Sequence, residues 1–253
     1  MKLNYKEFGQ GDPLIILHGL FGTSDNWQTL AKQFAKNYMV FIVDLRNHGR
    51  SPHDDEFNYK VMAEDLKEFM ESKWIYEARV IGHSMGGKTA MQLALDYPDM
   101  VEKLVIVDIA NHSYEGGHES IFKALFSLDL DKIENRKEAD EFLKDQIEDF
   151  GVRQFLLKNL TRNKEEGYEW KMNLPIIYEN YQAILGKLEG DEPFENATLF
   201  IKGGLSKYIT KENFATTQEF FPNSELKTIE KVGHWVHAQA PKELLQIVEA
   251  FLK

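Results

Sequence analysis

Ser84 is the central residue of the pentapeptide Gly-His-Ser-Met-Gly, which spans residues 82–86. An apolar, strand-like run precedes this G-x-S-x-G pattern, and a helical pattern follows it. A strand that turns abruptly into a helix strains its corner residue and needs glycine neighbours to avoid clashes. The corner hydroxyl is then presented at the sheet edge as a nucleophile, and the helix N-terminus directs free N–H groups at developing negative charge. We therefore predict nucleophilic catalysis by Ser84.

A second loop with suitable chemistry, His-Gly-Leu-Phe-Gly at residues 18–22, follows another strand-like run. Its glycines allow the loop to approach closely and to present a backbone N–H group. We predict that the N–H groups of Leu20 and Met85, the residue after the nucleophile, form an oxyanion hole, the donor pair that stabilises a developing oxyanion. A plain strand-to-helix turn is the alternative interpretation of residues 18–22.

His234 lies in the segment Val-Gly-His-Trp-Val-His, residues 232–237, between the last strand-like run and the last helical pattern. A histidine can take the serine proton and return it to the leaving group. Its place in the chain, after a serine and an acid, favours this role over a structural one. We interpret His237 as structural. No Glu follows His234 as the zinc motif H-E-x-x-H requires, so no metal site is predicted.

The first half of the chain alternates short apolar runs with amphipathic helical patterns. This alternation predicts an α/β fold in which a mostly parallel sheet is covered by helices on both faces. Functional groups in such sheets gather beyond the carboxyl ends of the strands. The residues that follow predicted strands include His18, Asp44, Ser84 and Asp108. The pattern predicts strands at 3–8, 14–17, 40–43, 79–81 and 104–107, and helices at 26–36, 57–70 and 88–95.

The alternation stops after residue 112 and resumes after residue 190. Residues 113–190 contain no strand pattern, and they predict a helical cap with helices at 121–130, 138–160 and 176–188. Strands at 198–201 and 226–229 and a helix at 241–252 then complete the sheet. We therefore expect a core domain, residues 1–112 and 191–253, with a cap inserted at 113–190.

The composition limits the classes of partner. A formal net charge of −11 disfavours nucleic-acid binding, because such a chain repels phosphate backbones. The chain has no cysteine, which excludes disulfides, thiolate nucleophiles and Cys-ligated zinc. It shows neither a signal-peptide pattern nor an apolar run long enough to span a membrane, so the expectation is a cytoplasmic protein without membrane association.

Four motifs, taken together and in this order, resemble those of the α/β-hydrolases, and specifically the small bacterial serine carboxylesterases of that fold. The resemblance covers the chain apart from the cap, and it implies that Ser84 is the nucleophile and His234 the base. The motifs are His18–Gly22, Asp44–Ser51, Gly82–Gly87 and Gly233–Ala238.

The triad acid is where this sequence departs from the commonest family pattern. Many members carry an Asp in the loop after the seventh strand, but residues 202–210 contain no carboxylate, and Ser206 stands where the acid is expected. The resemblance to an esterase branch with the acid after strand six implies that Asp108 orients His234. Ser206 is then expected to hydrogen-bond within the same network. The alternatives are an ordinary turn serine at 206 and a helix-capping or solvated acid at 108.

The resemblance implies a serine hydrolase that cleaves esters or thioesters of small or medium acyl chains through an acyl-enzyme, with no metal or organic cofactor. The same triad would also serve a haloperoxidase-like perhydrolase, a lactonase or a C–C bond hydrolase. A hydrolase-fold protein that binds a ligand without catalysis is an alternative of another class.

Residues 82–89 also match the phosphate-binding pattern G-x-x-x-x-G-K-[ST]. A nucleotide-binding protein would leave the histidines at 18 and 234 and the loop at 44–51 unexplained. The hydrolase hypothesis accounts for all of these and leaves Lys88 as a helix residue near the nucleophile.

Overall fold

The computed structural model describes residues 1–163 and 167–253 of the chain. Seven strands form one sheet in the order β1-β3-β2-β4-β5-β8-β9, in which β1 runs antiparallel to β3 and every other pair is parallel. The predicted mostly parallel sheet is therefore confirmed. Its strands are β1 (Tyr5–Phe8), β2 (Pro13–Leu17), β3 (Met39–Val43), β4 (Ala78–His83), β5 (Val101–Val107), β8 (Thr198–Gly203) and β9 (Ser224–Ile229). A separate antiparallel hairpin consists of β6 (Leu160–Arg162) and β7 (Tyr168–Trp170).

Helices cover both faces of the sheet, because alternate strand side chains enter different apolar clusters. In β2, Ile15 and Leu17 belong to one cluster, and Leu14 and Ile16 belong to the other. The first cluster also contains side chains of α2 (Tyr59–Ser72) and α3 (Met85–Asp96). The second contains side chains of α1 (Gln28–Phe34) and α11 (Pro241–Leu252). Two further helices are α9 (Lys211–Gln218) and α10 (Val236–Gln239).

The cap segment, residues 113–190, lies between β5 and β8. Its helices are α4 (Glu119–Ser127), α5 (Arg136–Lys144), α6 (Phe150–Leu157), α7 (Leu174–Glu179) and α8 (Tyr181–Leu185). Side chains of α4, α6, α7 and α8 join the first apolar cluster, so the cap segment packs on the core. The boundaries at residues 112/113 and 190/191 stay a prediction.

Three expectations for the cap segment were wrong. The single helix expected at 176–188 is two short helices, α7 and α8, which are separated at Asn180. The single helix expected at 138–160 is two helices, because the Asp149 side chain accepts a hydrogen bond from the Val152 N–H group and caps a new helix. The expectation of no strands fails at the hairpin of β6 and β7. Three-residue strands are too short to give a readable alternation. Between these strands, the Asn163 side chain accepts a hydrogen bond from the Gly167 N–H group.

The parallel register brings the ends of four strands to one edge of the sheet. Leu17 pairs with Val43 on one side and with Gly82 on the other, and Gly82 pairs in turn with Ile106. The residues just beyond these strand ends are therefore neighbours in space. In the described parts of the chain, no helix is long and apolar enough to cross a membrane.

Candidate active site

The nucleophile elbow is a sharp turn from β4 into α3. Ser84 stands at the corner with φ 53° and ψ −120°, and the helix begins at the next residue, Met85. A Cβ atom on Gly82 would lie 2.3 Å from the carbonyl oxygen of Gly86, and one on Gly86 would lie 2.4 Å from that of His18. Only glycine fits at both positions, which explains the spacing of the motif. Such a backbone conformation costs about 1–3 kcal/mol and persists because the surroundings enforce it.

Three side chains from distant parts of the chain form a hydrogen-bonded series. His234 Nε2 lies 3.0 Å from Ser84 Oγ, and His234 Nδ1 lies 2.7 Å from Asp108 Oδ2. Because a carboxylate only accepts, the Nδ1 atom of His234 carries the proton and its Nε2 lone pair faces the serine hydroxyl. This arrangement can accept the proton of Ser84.

Asp108 is fully buried, and three groups hydrogen-bond to its carboxylate. Gly203 N–H donates to Oδ1 at 2.9 Å, while the Ser206 hydroxyl and His234 donate to Oδ2. These donors offset the cost of burying the charge. Asp108 directly follows β5, the strand that the sequence pattern placed at 104–107.

Two residues that the sequence analysis did not single out restrain His234. The ring of Tyr208 stacks on the imidazole, with centroids 4.1 Å apart and planes 25° apart. His83 Nε2 lies 2.9 Å from the backbone oxygen of His234 and donates to it. Burial, helped by His237 and His234, lowers the pKa of His83 well below its usual value, so this histidine is a neutral donor. The second residue of the G-x-S-x-G motif, His83, therefore holds the loop that carries His234.

The two candidate oxyanion donors are free within the described residues. Neither Leu20 N–H nor Met85 N–H donates a hydrogen bond to another part of the described chain. The neighbouring Phe21 N–H is not available, because it donates to His48 Nε2 at 3.2 Å. Leu20 lines a cavity together with Ser84 and Met85, whereas Phe21 does not line that cavity.

Buried neutral histidines hold this loop in place. His48 Nδ1 lies 3.0 Å from the backbone oxygen of Arg46 and donates to it. His18 Nε2 accepts from Leu45 N–H at 3.0 Å, and His18 Nδ1 donates to Gly19 oxygen at 2.8 Å. Burial lowers the pKa of His48 to about 3 and also lowers that of His18. The loop at 44–51 therefore contributes His48 as a support for residues 18–22.

Two cavities of unequal size meet at Ser84. The larger has a volume of about 740 Å³ and the smaller about 50 Å³. Leu20 and His118 also line both cavities. The His118 ring, whose Nδ1 lies 2.6 Å from the Tyr181 hydroxyl, belongs to the cap segment. The cap segment thus forms part of the wall on both sides of Ser84.

Lys88 connects the elbow helix to both borders of the cap segment. It lies one helical turn after Ser84, and its side chain is buried. Its ammonium group donates to the backbone oxygens of His112 at 2.7 Å, Leu185 at 3.4 Å and Gly186. Burial lowers the pKa of Lys88 to about 7. Lys88, the lysine of the phosphate-binding pattern, therefore donates its hydrogen bonds to three backbone carbonyl groups.

His237 packs against the core as a buried aromatic ring. Its imidazole stacks on Trp27, with centroids 4.8 Å apart and planes 13° apart, and its Nδ1 atom has no hydrogen-bond partner among the described residues. Burial, with a smaller contribution from His234, lowers its pKa to about 3. No cluster of three or more potential metal ligands exists within residues 1–163 and 167–253.

Comparisons with known proteins place the chain in a family. Residues 12–241 match a family described as alpha/beta hydrolase fold. Esterase YbfF of Escherichia coli (strain K12) is 35% identical over 241 residues, covering 95% of this chain and 92% of that protein. The sn-1-specific diacylglycerol lipase ABHD11 of Mus musculus is 36% identical over 249 residues, covering 94% of this chain and 80% of that protein. The solved structure of a marine microorganism esterase has a TM-score of 0.97 and 42% identity, and 99% of each chain is covered.

The buried histidines make stability depend on pH. A histidine whose folded pKa is lowered stays neutral in the folded state while the unfolded state takes up a proton below about pH 6.5. The unfolded state then binds more protons, so the free energy of unfolding falls as the pH falls. We predict that His237→Phe, which keeps a ring on Trp27, reduces this slope by about 1.4 kcal/mol per pH unit between about pH 6 and 5.

Urea unfolding of the wild type and His237→Phe at half-unit pH steps from 7.5 to 5 measures this slope. The difference between the two proteins at each pH removes the contribution of shared carboxylates. Parallel curves would show that His237 does not remain neutral in the folded protein.

Proposed function

Because the chain belongs to the α/β-hydrolase fold family, we propose that it is a serine esterase that cleaves carboxylic esters, or thioesters, of small or medium acyl chains. The observation that carries this proposal is the hydrogen-bonded series from Ser84 through His234 to Asp108. The names of the similar proteins, two esterases and a lipase, support hydrolysis of an ester bond.

The first half of the proposed reaction forms an acyl-enzyme. His234 Nε2 removes the proton of Ser84, whose oxygen attacks the substrate carbonyl carbon. Asp108 stabilises the imidazolium that forms and keeps the working tautomer of His234. The oxyanion accepts hydrogen bonds from the N–H groups of Leu20 and Met85, each worth about 3 kcal/mol in the transition state.

Collapse of this intermediate breaks the ester bond, and His234 gives its proton to the leaving oxygen. In the second half, His234 deprotonates a water molecule that attacks the acyl-enzyme, and the proton then returns to Ser84. Each proton is held by a side chain of this protein, so the proposed mechanism needs no metal or organic cofactor.

We also propose the division into core and cap given above, with a small-molecule ester as the partner of the site. Its support is that both cavities at Ser84 have walls from the core and from the cap segment. The acidic net charge of −11 supports a partner other than nucleic acid.

Replacing the nucleophile tests the proposal directly. Ser84→Ala removes the attacking oxygen and should lower kcat for ethyl butyrate, measured by acid release in a pH-stat, by at least roughly 10⁴-fold. A fluorophosphonate should label the wild type once per chain and should not label the variant. Ser206→Ala, a serine in the same network, is the matched control and should still be labelled. Near-wild-type turnover by Ser84→Ala would exclude Ser84 as the nucleophile.

The roles of Asp108 and Ser206 are separated by their variants. Asp108→Asn keeps the shape but favours the wrong tautomer of His234, so kcat should fall by about 10⁴-fold. Ser206→Ala removes one of three donors to the carboxylate and should cost only about 10- to 100-fold. Both are measured with the same ester at saturating concentration. Equal losses would place Ser206 in the proton-transfer machinery, and a loss below tenfold for Asp108→Asn would require another acid.

A further inference from the structure

We infer that the two cavities at Ser84 divide the substrate, so that the smaller takes the alcohol part and the larger takes the acyl chain. The preferred substrates are then esters of small, uncharged alcohols with longer apolar acids. This inference rests on the proposed esterase function and adds the substrate class.

The direction of the division follows from the proton that His234 must deliver. In the tetrahedral intermediate, the imidazolium gives its proton to the leaving oxygen, so that oxygen has to lie beside His234. His234 lines the smaller cavity, and it is absent from the described residues that line the larger one. The leaving alcohol therefore extends into the smaller cavity, and the acyl chain extends the other way, past Met85.

The size of the smaller cavity restricts the alcohol. An engineered cavity of about 150 Å³ holds benzene, whereas this one measures about 50 Å³. Large rings limit it: Phe155 of α6 and Trp235 lie with centroids 5.5 Å apart, and the ring of Trp27 also lines the cavity. A methoxy or ethoxy group fits this space, and a long alkoxy chain does not.

The chemistry of the smaller cavity also excludes a charged alcohol. Apart from histidines, its described walls carry no ionisable side chain. Burial lowers the pKa of His118 to about 4 and that of His237 to about 3, so both are neutral near pH 7. A charged leaving group would lose its hydration here without gaining a partner.

The larger cavity suits an apolar acyl chain. Its volume of about 740 Å³ is nearly fifteen times that of the smaller one. Ile109, Tyr181 and Ile184 line its interior, whereas the carboxylates of Glu115 and Glu212 come from exposed residues. The buried cation, Lys88, is engaged by backbone carbonyls and has no donor left for a substrate.

An isomeric pair of esters tests the inference. Methyl octanoate and heptyl acetate have the same atoms, but the long chain is on the acyl side in the first and on the alcohol side in the second. We expect kcat/KM for methyl octanoate to exceed that for heptyl acetate by at least about tenfold, measured by acid release in a pH-stat. Equal values, or a preference for heptyl acetate, would overturn the inference. Hydrolysis of neither ester, together with no phosphonate labelling of Ser84, would instead overturn the proposed function.

Variants of the walls provide a second test. Phe155→Ala enlarges the smaller cavity and should raise the heptyl acetate to methyl octanoate ratio of kcat/KM about tenfold. Phe142→Ala makes the same change at an exposed ring of the cap segment that lines neither cavity, and should leave the ratio unchanged.

Ile184→Trp, which fills the larger cavity, should lower kcat/KM for methyl octanoate selectively. Should Phe155→Ala fail to fold, Ile121→Ala enlarges the same cavity. An unchanged ratio in every folded wall variant would contradict the inference.

Discussion

The buried carboxylate of Asp108 is the constraint on which the rest of the site depends. It lies at the end of β5, and its partners come from the loop after β8 and from the loop before α10. An unpaired carboxylate with no exposed surface would be very unfavourable, so the charge is tolerated only when these loops close over it. Burial of the carboxylate therefore depends on both loops, and the second of them also carries His234 to Ser84 at the end of β4.

Around this charge, neutral imidazole groups do much of the positioning. His18 and His48 fix the loop of the candidate oxyanion donors, and His83 fixes the segment of His234. A neutral imidazole both donates and accepts, so it can join two backbone segments in a place that water cannot reach. The rings of these histidines lie near one another and near His234: the centroids of His18 and His48 are 5.2 Å apart, and those of His83 and His234 are 4.8 Å apart. Protonating His18 or His48 would cost the hydrogen bond that the ring accepts from Leu45 N–H or Phe21 N–H, since the acceptor nitrogen would become a donor.

The sequence predicted the parts of this arrangement that depend on local pattern. The alternation of apolar runs located the strands of the sheet, and the order of motifs placed Ser84, Asp108 and His234 at one edge of it. Residue types at strand ends are informative because the parallel register carries them to the same place. The supports Tyr208, His48 and His83 were not recognised, because each acts through a contact between loops far apart in the chain. The available signals were the position of Tyr208, two residues after Ser206, and the positions of His48 and His83 inside two of the motifs. None of these signals identifies the residue that is contacted. The hairpin of β6 and β7 was missed for a different reason, since strands of three residues are too short to show a clear alternation of apolar and polar positions.

The bonds of Lys88 have a consequence for how this protein can be altered by recombination. Its ammonium group joins backbone oxygens just before and near the end of the cap segment, although the residue itself belongs to the elbow helix of the core. These acceptors are main-chain atoms, so the match depends on the path of the chain and hardly on which side chains are present. A chimera that receives the cap segment of another protein but keeps its own elbow helix would still contain the buried Lys88 amino group. The backbone oxygens of the new cap segment would then have to lie where those of the original one lie. The residue at position 88 should accordingly be exchanged together with the cap segment, although the two are separate in the sequence.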